Sequence, residues 1–117
     1  MKKILFLVLI VIYAGSQAHG QSGFRQKLSE AALELTKTEV IYDPAYHRIA
    51  YPGGDVPAGR GVCTDVVIRA YRRVGIDLQK EVHEDMVRNF DCYPKYWGLS
   101  KPDRNIDHRR VPNLMRF

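Results

Sequence analysis

The stretch Gly61-Val62-Cys63-Thr64-Asp65-Val66-Val67-Ile68-Arg69-Ala70-Tyr71-Arg72-Arg73-Val74-Gly75 decides how this chain reads. Val66, Val67, Ala70, Tyr71 and Val74 recur at the three- and four-residue intervals of one helical face. A glycine-containing turn precedes this run and Gly75 terminates it, so the spacing predicts a helix with Thr64 as its N-cap. Cys63 then stands at the helix start. A thiol there meets unpaired backbone N–H groups and the positive end of the helix dipole, which favour the nucleophilic thiolate. Asp65 opposes this by charge, but two residues along a helix turn it toward the other side. The chain has two cysteines. A Cys63–Cys92 disulfide closes a loop of roughly 30 residues and is worth about 3.5 kcal/mol in the chain-entropy model. Spacing alone leaves nucleophile and disulfide equally open.

Outward from this helix, Leu28, Ala31, Ala32 and Leu35 mark an earlier one, expected over Phe24 to Thr38 with Ser22 as cap and Arg25, Lys27, Glu30 and Glu34 outside. From Val40 to Gly61 periodicity stops. Asp43-Pro44, Pro52-Gly53-Gly54, Val56-Pro57 and Gly59-Arg60-Gly61 are successive turn signals, and only His47 to Tyr51 reads as a short strand. Asp77 is expected to cap a third helix, Leu78 to about Phe90, with the stripe Leu78, Val82, Met86 and Phe90, ended by Pro94. The remainder reads as irregular and carries the basic cluster His108-Arg109-Arg110.

At the other end, Lys2-Lys3, the apolar run Ile4 to Ala14 and the small residues of Ser16-Gln17-Ala18 occur in the order of a cleavable export signal over residues 1–18. The run is shorter than the roughly 20 residues that span a bilayer, so no stable membrane span is expected after cleavage; an uncleaved anchor is the alternative. No cysteine follows the run, so no lipid is expected there. The expected location is periplasmic or secreted. Of 117 residues, 18 are basic and 13 acidic; Lys2 and Lys3 are the basic residues of the signal and it has no acidic one, so the formal charge of +5 falls to +3 in residues 19–117. So small a surplus does not argue for a nucleic-acid partner. One small domain, 19–117, is expected.

Three longer segments carry a resemblance. They are Tyr42-Asp43-Pro44-Ala45-Tyr46, Tyr51-Pro52-Gly53-Gly54-Asp55-Val56-Pro57, and the Gly61 to Arg72 run. Gly75-Ile76-Asp77-Leu78-Gln79, Val82-His83-Glu84-Asp85-Met86 and Asn105-Ile106-Asp107-His108-Arg109-Arg110-Val111-Pro112-Asn113-Leu114 continue it in order. In these the chain resembles an exported bacterial family of unassigned function placed beside the NlpC-like cell-wall amidases of the papain-like superfamily. The resemblance implies an α+β, papain-like (NlpC-like) fold of which this chain is the helical half, with most of the β-sheet missing. It implies Cys63 as the catalytic nucleophile, a peptidoglycan or other cell-envelope amide as substrate, and no cofactor or metal. Tyr42, Tyr46, Asp55, Asp65 and Arg109 are the expected substrate contacts.

A cysteine amidase also needs an imidazole to accept the thiol proton and return it to the leaving amine. The family's histidine resembles one in a His-Ile-Gly strand segment beyond the matched region, so a truncated member, inactive by itself, is expected; the alternative is a non-catalytic envelope binding or structural protein with a Cys63–Cys92 disulfide. Of the histidines present, His47, His83 and His108 read as surface or hydrogen-bonding residues before they read as bases. A metal site from His83, Asp85, Asp107 and His108 matches no zinc spacing. Tyr42, Tyr46, Tyr51, Tyr93, Tyr96 and Trp97 suit a glycan or peptide groove, or simply pack across loops. Arg109 and Arg110 suit a carboxylate clamp, or form a solvated charge run.

Overall fold

Helical spacing in the sequence becomes four helices and one minimal sheet in the computed structural model, which describes residues 20–117. The expected signal, 1–18, lies outside them. The first helix, α1, runs over 20–35. Ala31 is buried and Leu28, Ala32 and Leu35 are partly so, which is the expected stripe; Ser22 lies inside the helix rather than capping it. Phe24 meets Tyr71 with ring centroids 6.3 Å apart, seating α1 on the next helix.

Two short strands follow, β1 (Ile41–Tyr42) and β2 (Arg60–Gly61), paired in parallel with Ile41 opposite Arg60 and Tyr42 opposite Gly61. The strand expected at His47 to Tyr51 does not form. That segment is a loop whose Ile49 N–H goes to the Asn105 side-chain oxygen at 3.1 Å instead of to a neighbouring strand. A side chain here satisfies the donor that a ladder would otherwise need.

Helix α2 spans Cys63–Arg73, so Cys63 is its first residue as expected. Its cap is Val62, and Thr64 lies inside the first turn. The buried face matches the expected stripe only in part: Ala70 is buried and Tyr71 partly so, but Thr64, Asp65 and Ile68 are buried as well, whereas Val66 and Val67 are each 42% exposed. Helix α3 (Leu78–Asn89) follows the reading closely, with the Asp77 carboxylate accepting from the Gln79 N–H at 3.2 Å. Leu78, Val82 and Met86 are buried, and Val82 and Met86 form the core with Tyr93, against which Phe90, Leu99 and Leu114 pack.

The C-terminal segment expected to be irregular is the keystone of the packing. Asp107–Arg109 forms a buried helical turn, and α4 (Val111–Arg116) starts with Pro112 in its first turn, where proline is tolerated. This turn packs against α2, α3 and α4. Gln79, fully buried, joins distant loops: its side chain accepts from the Gly54 N–H at 2.8 Å and donates to the carbonyls of Ala50 and Arg104. Among the described residues no helix is long and apolar enough to cross a membrane.

Candidate functional site

The β1–β2 pair delivers the chain to Cys63. Asp43 N–H donates to the Gly61 carbonyl at 2.9 Å, and two residues later α2 begins. Asp65 folds back so that one oxygen accepts the Val62 N–H at 2.7 Å, satisfying a donor that the helix start leaves open. Gly61 permits this approach, since a Cβ there would lie 2.8 Å from the same Asp65 oxygen. Arg109 then clamps the carboxylate from behind, Nε to Oδ1 at 2.9 Å and Nη2 to Oδ2 at 3.0 Å, with side chains 2% and 3% exposed for Arg109 and Asp65. The guanidinium also donates to the Ala45 carbonyl at 3.2 Å and approaches that of Asp43, while Thr64 donates its hydroxyl to the Arg109 carbonyl at 2.8 Å. One planar, bidentate donor thus ties together the helix start, segment 43–45 and the 107–109 turn.

Two of the expected substrate contacts, Asp65 and Arg109, are buried and paired with each other, and in this arrangement they hold the helix start. Cys63 itself is exposed and unbridged, as is Cys92. The thiol borders an apolar recess of about 280 Å³ shared with Val67, Val111, Leu114 and Met115. On the other flank of α2, Asp55 lines a recess of about 400 Å³ with Leu35, Val40, Val66 and Arg69, its carboxylate accepting from Arg69 Nε at 2.8 Å. Tyr42 is 73% exposed beside Gly61 on the ladder. Tyr46 is exposed, but its hydroxyl is held by Asp103 at 3.0 Å and Asn105 at 2.8 Å.

The other aromatic and basic candidates scatter. Tyr93 is buried in the core and bonds Asp85, so it lines no groove. Tyr96 and Trp97 stay exposed, and the Arg110 guanidinium lies 4.6 Å over the Trp97 ring, with Nη1 3.6 Å from Asp107.

Of the histidines, His47 places Nε2 3.2 Å from Asp43, which also meets Arg60. The Asp43 carboxyl is held below the usual range, first by the Ala45 N–H it accepts and then by His47 and Arg60. This His47–Asp43 pair hangs from the ladder that positions Cys63. His83 stands edge-on to Tyr51 at 5.2 Å, with its Nδ1 buried and unbonded. His108 is 2% exposed, and burial pushes its imidazole down to about 4, so it is neutral at physiological pH. Burial likewise pushes Asp107 up to about 6, against the Asp103 N–H and the charge of Arg110. Asp85 is engaged by Tyr93 and Asn89, and among the described residues no three His, Cys, Asp or Glu side chains converge as a metal site would require.

Sequence reasoning missed Gln79 and Asn113, both fully buried polar residues. Gln79 carried a signal, because it shares helical spacing with Val82 and Met86 and so had to point inward.

Residues 29–117 match the family described as "Domain of unknown function (DUF1287)", and the chain belongs to that family. It is 55% identical over 94 residues to the uncharacterized protein YijF of Escherichia coli (strain K12), a match covering 80% of this chain and 46% of that protein. The chain thus spans about half the length of this curated relative. No solved structure matches it.

Proposed function

We propose that the domain is the nucleophile-bearing half of a papain-like, NlpC-like cysteine hydrolase, exported by residues 1–18 and directed at amide bonds of the cell envelope such as those of peptidoglycan stem peptides. The observation that supports this reading most is Cys63, an exposed free thiol on the first residue of an 11-residue helix whose start is locked by a buried ion pair. In this chemistry the Cys63 thiolate attacks the amide carbonyl, the amine leaves with a proton from an imidazolium, and water then cleaves the thioester. The imidazole is assigned to polypeptide of the kind that the longer relative carries outside the matched region. Without a proton donor for the amine the rate falls roughly 10²- to 10⁴-fold.

The test is cleavage of purified stem peptides by this chain alone and joined to the unmatched part of the E. coli protein. The joined protein is expected to cleave and to lose activity in Cys63→Ala but not in Cys92→Ala; the chain alone is expected to be inactive. Activity that survives Cys63→Ala would sink the reading. Activity of the chain alone that vanishes in His47→Ala would move the base to the His47–Asp43 pair.

A further inference from the structure

Helix α2 leaves part of its aliphatic surface open. Its covered face holds Thr64 and Asp65 beside Ile68 and Ala70, whereas its open face presents Cys63, Val66 and Val67. An isolated helix packed on one core buries its aliphatic stripe, since each fully covered Val or Leu gains about 1.5–3 kcal/mol. Here Ile68 and Ala70 are covered but the aliphatic side chains of Val66 and Val67 are outside, and they do not stand alone. Val111 and Met115 of α4 are 47% and 81% exposed along the Val67 flank, and Val40, at 44%, extends the surface along the Val66 flank. A recess lies on each side of the stripe, so the surface has relief for interdigitating side chains; the one beside Val67 is lined by Cys63, Thr64, Val111, Leu114 and Met115, with no charged residue. Contiguous apolar surface of this kind marks a contact with something else.

The length of the relative indicates the occupant. The matched region is 46% of the E. coli protein, at 55% identity, so more than half of that protein's polypeptide lies outside it. We infer that the open face of α2 with the adjoining face of α4 is a packing seat for polypeptide of the kind this relative carries outside the matched region, bound through aliphatic side chains laid along Val66 and Val67. The inference deepens the proposed function, since such a segment would reach the rim where Cys63 lies, but it concerns assembly and is read separately from catalysis.

The experiment co-expresses the tagged chain with the unmatched part of the E. coli protein as a second polypeptide, so that neither needs to fold alone, and measures co-purification and mass by light scattering. A one-to-one complex is expected. Val67→Asp and Met115→Asp should each lower the captured partner at least tenfold, while Leu33→Asp, on an exposed site of α1, should leave it unchanged; far-UV circular dichroism checks that all three variants keep their helices. Failure to co-purify, or capture indifferent to Val67→Asp and Met115→Asp, would refute the seat. A dimer of the chain by itself that Val67→Asp dissolves would overturn the proposed occupant in favour of a second copy. A complex that assembles as expected but cleaves nothing would count against the hydrolase reading alone.

Discussion

Replacing Arg109 with methionine removes the charge while keeping an apolar stem of similar reach. The Asp65 carboxylate, 3% exposed, then retains the Val62 N–H as its hydrogen-bond donor and loses both guanidinium contacts, at 2.9 and 3.0 Å. Breaking a buried pair from one side costs about 3–5 kcal/mol, chiefly because the other charge stays buried. The Ala45 carbonyl also loses its donor, which adds about 1 kcal/mol. A total near 5 kcal/mol is a large part of the roughly 5–15 kcal/mol that holds a domain together, and at about 4–8 °C per kcal/mol it lowers the melting temperature by about 20 °C or more. Urea unfolding followed by far-UV circular dichroism reads this directly. The double variant Asp65→Leu/Arg109→Met should recover more than half of the loss, because no uncompensated charge remains. A loss under about 1 kcal/mol in Arg109→Met, or simple additivity in the double variant, would refute the assignment of this pair as the clamp on the helix start.

His108 and Asp107 predict opposing pH responses. The unfolded chain protonates His108 near 6.5 and the folded one near 4, so folding stability from this group is lost as pH falls across that window, by about 3 kcal/mol. Asp107 runs the other way, since its folded value of about 6 exceeds 3.8 and stability is gained as pH falls between them, again by about 3 kcal/mol. Asp107→Asn should therefore lose stability between about pH 6.5 and 4, and His108→Phe should gain it; identical urea midpoints against pH in both variants and the parent would contradict the burial argument. Gly61→Ala should destabilise by about 1–3 kcal/mol, seen as a lower urea midpoint, because its Cβ would crowd the Asp65 oxygen that caps α2. Gln79→Ala should cost about 2–3 kcal/mol and expose the 50–54 loop to limited proteolysis, since the Gly54 N–H and two carbonyls lose their partner. Thiol titration of the folded chain should find both cysteines reactive, and a single modified thiol or none would contradict the open Cys63 and Cys92.

By itself the sequence determined what is local in origin. The stripe of α1, the Asp77 cap and apolar stripe of α3, the turn-rich passage from 40 to 61 and the placement of Cys63 on the first residue of α2 all follow from side-chain period and terminal donors, which act over a few residues. Tertiary structure decided the rest. The two strands are too short to leave a periodic signal and exist because residues 41–42 and 60–61 happen to meet across a loop. The face of α2 that turns inward could not be chosen from hydrophobicity, because a carboxylate at Asp65 is drawn inside by a guanidinium 44 residues away. For the same reason Asp65 and Arg109 read as solvent-facing binding groups in one dimension: only spatial pairing, which has no fixed sequence interval, offsets the desolvation of two charges and turns them into the scaffold beneath Cys63.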